Sequence, residues 1–415
     1  MKTIRYDVDT KPLNGLMEEI TIRLPYYDAD NNLKHINRTV VLKAEVITHS
    51  PETARLIKMY EALRQKVWGA PDDYLTAHRE LGCQGDSGRR FYGISGYDSE
   101  SLNLVLFDYG WQGGAFNTTE KNCCLPYYYS HFLAVDHEVP ETINGESVLL
   151  NYRSCGLGVK AKLFIDKIVK KEGLFANIWT VNPLLGGNAG MNFSHYGAGV
   201  LLFDPNHYGP MTGLNIGLRT DRFVMIKPYN FQLGEINPDI KEKIIKAVRQ
   251  SSDKTDPQKN GINRIILNQP ESVPGSIQKK EIERCREILK NIDADLEPEN
   301  PRNNHLVKRI CALPLDREDD YLILQIPEDF DKDYRLNPAL TRENQLLLAI
   351  LLNRYVKEFN YGVRFLSVRS SKGKRFNFYI LEKGKGLCRF RNLPWRPPET
   401  AAFIKTRLKL MGIDS

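Results

Sequence analysis

The feature that most restricts how this chain can fold is the run from Tyr127 to Val181. The strand-like segment "YYYSHFLAV" leads, after an intervening piece, into a loop at Arg153 to Gly158, a helix reaching about Lys171, and a second strand, "FANIWTV". Strand, loop, helix, strand is a βαβ-like order. Ala161, Phe164, Ile165 and Ile168 recur at i, i+3, i+4 and i+7, so one helix face is anchored to a sheet. With "GVLLF" and "DRFVMIKPY" as further strands, a mixed α/β unit is complete by about residue 232.

At 415 residues the chain exceeds what one compact core fills, so two domains or one enlarged domain is expected. Residues 18–48 read as a hairpin around "DADNN", giving an N-terminal extension over 1–50. "PETARLIKMYEALRQKVWG" reads as a helix closed by Gly69, and "RRFYGISGYDSESLNLVLFDYG" as two strands. The α/β unit then spans 51–232. Polar, Pro-containing pieces flank the helix "QKKEIERCREIL", which makes 233–304 a linker with helices. A C-terminal α+β domain, 305–415, holds the strands "YLILQI", "GVRFLSV" and "FNFYILE". Its helix should turn Leu348, Leu352, Tyr355 and Phe359 to a core. No internal repeat of clear period is visible, although this tail could be a reduced relative of the first domain.

Gly156 and Gly158 allow backbone angles that turn successive N–H groups toward one point, and the free amides of the following helix add partial positive charge. The result is an anion cradle, or else merely a tight turn. The Lys-Ser/Thr of a Walker A loop is absent. A net charge of +7 suits phosphorylated small molecules as well as nucleic acid, but basic and aromatic residues form no nucleic-acid recognition motif. Seven irregularly spaced cysteines argue for a reducing compartment, and Cys123 and Cys124 have no second pair to complete a metal site. Without a signal peptide or long apolar run, a cytoplasmic protein with no membrane partner is expected.

Arg153, Gly156 and Gly158 form R-x-x-G-x-G, which resembles the pyrophosphate loop of the GNAT acyltransferases. "LRQKVWG", "SHFLAV", "YRSCGLGVKAKLF", "IWTVNPLLGGNAGMNF", "HYGPMTGLNIGLRTDR", "LQIPEDF" and "NRYVKEFNYGVRFLSV" occur in the order seen in one large GNAT-related subgroup, often encoded beside o-succinylbenzoate synthase or N-acylamino-acid racemase enzymes. The resemblance covers roughly residues 50–382. It implies a GNAT-like mixed sheet with flanking helices, with the tail as a reduced GNAT-like half. It also implies an acyl-CoA co-substrate, acetyl or succinyl, no metal, a small-molecule amine acceptor, and transfer by direct attack; a homodimer is compatible with it. The insertion "HEVPETINGESVLL" and Asn182, where the subgroup commonly has Asp, depart from the pattern.

By that resemblance, amides of Leu133, Ala134 and Val135 meet the thioester, and Arg153, Ser154, Cys155, Gly156, Leu157 and Gly158 hold the pyrophosphate, with Asn188 close to the cofactor. His131 is a candidate base or a histidine paired in the sheet. Tyr196, or neighbouring His195, is the candidate acid at the sulfur; Tyr196 could equally pack against the helix. Tyr208, Asn215, Asp221 and Arg222 contact the acceptor or hold a turn and an ion pair. Lys160 and Lys162 meet phosphates or form a solvated helix face. Two other readings compete: an acyl-CoA-binding sensor or scaffold without transfer, and a cysteine hydrolase built from Cys155, His195 and Asp204.

Overall fold

The computed structural model describes residues 16–69, 74–76, 90–118, 123–208, 218–229, 234–250, 264–266, 278–292, 294, 297–316, 319–327, 330–370 and 373–387. Its main sheet has eight strands in the order β1-β2-β3-β4-β5-β8-β10-β9. They are β1 Met17–Tyr27, β2 Leu33–Ile47, β3 Phe91–Asp98, β4 Leu104–Thr118, β5 Cys123–Val135, β8 Ala176–Val181, β9 Gly199–Asp204 and β10 Arg222–Pro228. All neighbours are antiparallel except β5 and β8. This is the mixed α/β sheet with flanking helices that the sequence predicts.

Helix α1, Pro51–Trp68, starts where the Ser50 side chain accepts from Thr53 N–H at 3.3 Å and ends at Gly69, whose φ of 64° admits glycine cheaply. It lays Leu56, Ile57, Tyr60 and Leu63 on one sheet face, against Phe91, Phe107 and Tyr109. Helix α2, Leu157–Lys171, covers the other face with Ala161, Phe164, Ile165 and Ile168, against Ile22, Leu42, Ile94 and Leu106. The sheet is thus buried on both sides around β3 to β5.

One expectation changes. The N-terminal hairpin is no appendage: β1 and β2 are the first strands of the main sheet, with Ile20, Ile22, Leu24 and Tyr26 alternating into its core. The insertion "HEVPETINGESVLL" is a structured element. It forms its own hairpin, β6 Val139–Ile143 and β7 Glu146–Leu150, which turns at Gly145 and packs on β1.

The second sheet has the order β11-β12-β14-β13, from β11 Arg264–Ile266, β12 Tyr321–Ile326, β13 Gly362–Arg369 and β14 Arg375–Glu382. The stretch expected as a linker contributes to this half's packing. Helix α3, Pro238–Gln250, sets Ile244 and Val248 against Ile323, Leu366 and Phe378. Helix α4, Lys279–Lys290, buries Cys285 and Leu289 in the core that also holds Leu348, Leu352 and Tyr355. The latter residues lie on α5, Pro338–Leu352, and the π turn Asn353–Glu358.

This half repeats the topology of the first. In each, a strand with a parallel neighbour on one side (β8 beside β5, β12 beside β11) pairs on the other with the last strand of an antiparallel hairpin. Both hairpins are entered through a π turn of the same hydrogen bonding. Tyr196 and Ala198 N–H donate to the carbonyls of Met191 and Asn192, each at 2.9 Å; Phe359 and Tyr361 N–H donate to those of Arg354 and Tyr355, at 3.0 and 2.9 Å. The positive φ that follows falls on Gly197 and on Asn360. β13 packs on the first π turn, Gly190–His195, β9 packs on the second, and β9 meets β13, so the two halves clasp each other reciprocally. Phe193 packs against both Phe365 and Tyr379, and the Tyr379 hydroxyl donates to the Pro183 carbonyl at 2.6 Å.

Candidate functional site

The site begins with one extra residue. Tyr109 on β4 stands opposite Phe132, but Gly110 stands opposite Ser130, so His131 is a bulge in β5. A bulge bends its strand and sharpens the local twist. It also puts His131 and Phe132 on the same face, their rings 4.3 Å apart, while Leu133 and Val135 return to the α2-side core and Ala134 to the α1 side. Gly110 is required beneath it, because a Cβ there would sit 2.4 Å from the Tyr129 carbonyl oxygen. β5 therefore bonds β8 only at Tyr128–Asn177 and Tyr129–Ile178, and beyond that level the two parallel strands form no ladder. Leu133, Ala134 and Val135 line the β5 side of this fork.

The glycine loop stands at the open end of the fork. Arg153 Nε donates to the Val135 carbonyl at 3.2 Å, and Asn151 Oδ1 accepts from Arg153 N–H at 2.8 Å. Ser154 and Gly156 both take positive φ, 62° and 86°, and Gly156 starts α2. The Leu157 amide meets the Cys155 sulfur, and the amides of this first turn face the loop, where a helix N-terminus favours an anion. A Cβ on Gly158 would meet Met191 Sδ at 3.0 Å, so glycine also lets the π turn approach the helix.

No family model and no curated protein sequence matches the chain. Among solved structures it is similar to the NatC complex bound to Gag peptide and CoA (14% identity, 45% of this chain and 98% of that one, TM-score 0.29). It is similar also to the ribosomal-protein-S18-alanine N-acetyltransferase from Escherichia coli (13%, 47% and 99%, 0.30). A third is Chaetomium thermophilum Naa20 in complex with a bisubstrate analogue (12%, 46% and 92%, 0.31).

On the α1 face the fork is lined with rings. His131 lies 4.8 Å from Trp111 and 5.7 Å from Tyr74, its Nε2 3.2 Å from the Tyr74 hydroxyl. Tyr129 stacks at a tilt on Trp111, 4.9 Å away, and burial raises its phenol above the ordinary range. Across the fork the Tyr208 hydroxyl bonds Thr180 Oγ1 at 2.8 Å, with the Arg222 guanidinium 5.1 Å above its ring. Asp221 is spoken for: it accepts from Arg219 and from the Asn206 amide, each at 2.9 Å. Asn215 lies outside the described residues. Asn182, the other departure, caps a turn by accepting from Leu184 N–H.

The α2 face holds what the sequence did not reveal. Lys162, expected to meet phosphate or solvent, is 2% exposed; only Lys160 is on the solvated side. The Lys162 side chain runs under the fork, its Nζ donating to Ser130 Oγ on β5 at 2.9 Å while lying 4.2 Å over the Trp179 ring on β8. Ser130 donates in turn to Asp108 on β4, which also accepts from Tyr128 at 2.5 Å. Burial lowers Lys162 to about 8, Asp108 and Asp166 partly opposing it, and burial raises Asp108. No local signal separates Lys162 from Lys160, since both adjoin Ala161 on the apolar stripe.

Tyr196 also belongs to this face. It is 3% exposed; its hydroxyl donates to Asp166 on α2 at 2.5 Å and accepts from Asn177 Nδ2 at 3.2 Å. Burial and the Asp166 charge hold its phenol well above 10. His195 points to solvent, and Asn188 offers its carbonyl to Asn192 Nδ2 at 2.7 Å while remaining exposed. The hydrolase constellation does not form: the Cys155 thiol donates to the Tyr152 carbonyl and is raised by burial, and Asp204 pairs with His207 at 2.7 Å.

Proposed function

We propose that this chain is an acyl-CoA-dependent N-acyltransferase acting on a small-molecule amine by direct attack in a ternary complex. The observation that carries the reading is the fork between β5 and β8, opened by the His131 bulge, with the Arg153–Gly158 loop at its mouth. From Val135, which Arg153 touches, five residues lead back to Ser130, about 16 Å of strand. An extended pantetheine arm has much the same reach, so pyrophosphate on the loop amides sets the thioester near the closed end of the fork. The edge of β5 that faces β8 forms no ladder along Leu133–Val135, and the main-chain amides on that edge are suited to the arm and to the thioester carbonyl.

The acyl group then faces the α1 side, where His131 is placed to take a proton from the attacking amine and Trp111, Tyr129 and Tyr208 shape the acceptor pocket. Much of the acceleration is positional, since the thioester is already activated. Acetyl-CoA and succinyl-CoA are the donors to try. Incubation of each with pooled primary amines, followed by mass spectrometry, should yield a new acylated amine, and calorimetry should show coenzyme A binding. Binding with no acylated product from a broad panel would leave a binding protein instead, and no binding would end the proposal.

A further inference from the structure

Lys162 is a buried lysine under a cleft, and the proposed reaction as described leaves it without a task. Its ammonium touches both strands of the fork at the level where they stop pairing: Ser130 sits beside Tyr129, the last β5 residue bonded to β8, and Trp179 follows Ile178, its partner. The same α2 helix offers its first amides to the diphosphate, so one rigid element carries both ends of the cofactor site. A cation there lies beside the point at which the thioester sulfur would come to rest.

Resting on the acyltransferase reading, we infer that Lys162 receives the departing sulfur, stabilising it as thiolate and giving it a proton. The amine lone pair forms the C–N bond, the tetrahedral intermediate collapses, and the C–S pair leaves on sulfur. A proton passes from the Lys162 ammonium to sulfur, leaving free coenzyme A and a neutral lysine, which regains its proton from water once product departs. The proton shed by the attacking nitrogen leaves on the opposite face through His131, so the balance is acyl-CoA plus amine to amide plus thiol.

Tyr196, the sequence candidate for this task, is less suited, because its proton is bonded to Asp166. A lysine at about 8 is by contrast matched to a thiol. The groups that set this balance are Asp108 from β4, Tyr128 and Ser130 from β5, Trp179 and Asn177 from β8, Asp166 from α2 itself, Tyr196 from the π turn and Lys227 from β10. The Oδ1 of Asn177, a residue with no exposure, has no hydrogen-bond partner and marks unspent polarity in this layer.

The test needs no acceptor. Coenzyme A bound to the full chain is titrated by thiolate ultraviolet absorbance, with the desulfo-coenzyme A complex as blank. A cation within a few ångströms should multiply the thiolate fraction at a given pH about tenfold over free coenzyme A. In Lys162→Met that gain should vanish while calorimetry still shows binding. A bound thiol titrating like the free one in the wild type overturns the assignment whether or not the variant folds, as does a gain that survives Lys162→Met. Failure to bind coenzyme A at all overturns the acyltransferase reading first, and this inference with it.

Discussion

Replacing Tyr196 by Phe removes one oxygen from a layer with 3% exposure, and the consequence can be worked from its partners. The hydroxyl donates to Asp166 and accepts from Asn177 Nδ2, and Asn177 already has an unpartnered Oδ1. A hydrogen bond to a carboxylate contributes about 2 kcal/mol and an orphaned buried amide donor costs about 1 kcal/mol more, so the loss should be about 3 kcal/mol. Its pH dependence has a definite sign. Asp166 is raised by burial and held down by the Tyr196 bond, so its folded pKa lies above the unfolded value, and its charged form destabilises the fold above that pKa. Losing the phenol raises it further. The penalty of Tyr196→Phe is therefore greatest where Asp166 is ionised and shrinks as pH falls and Asp166 takes up a proton. Urea denaturation of wild type and variant across mildly acidic to neutral pH reads this directly. A loss under 1 kcal/mol, or one that grows on acidification, would refute the reasoning.

Gly156→Ala meets no neighbour within 4 Å, so its effect is purely the cost of a side chain at φ 86°, about 1–2 kcal/mol, and calorimetry should show coenzyme A affinity reduced roughly fivefold to thirtyfold. Tyr379→Phe deletes the hydroxyl bond to the Pro183 carbonyl; chemical denaturation should record a loss of about 1 kcal/mol, with thioester transfer impaired through the π turn and not through cofactor affinity. His131→Gln should lower turnover by about a hundredfold or more while leaving coenzyme A binding intact, as assayed by thiol release with any acceptor found in the amine panel.

The βαβ order, the strands, and the ends of α1 were all legible in the sequence because they depend on local periodicity and on residues such as Pro51 and Gly69 whose preferences are intrinsic. So was the loop, since Gly156 does take the left-handed backbone that its lack of a side chain favours. The bulge at His131 was not legible: it is a mismatch of register between β4 and β5, and register is a property of two strands. The duplicated half was legible only as one option for the tail, because reciprocal packing constrains which faces are apolar and how the π turns bond, while the paired turns share little more than Gly199–Val200 with Gly362–Val363. Lys162 shows the division most plainly. A lysine beside an apolar stripe reads as solvated on the ordinary cost of burying charge, and only the tertiary arrangement of Ser130, Asp108 and the Trp179 ring around it reverses that balance.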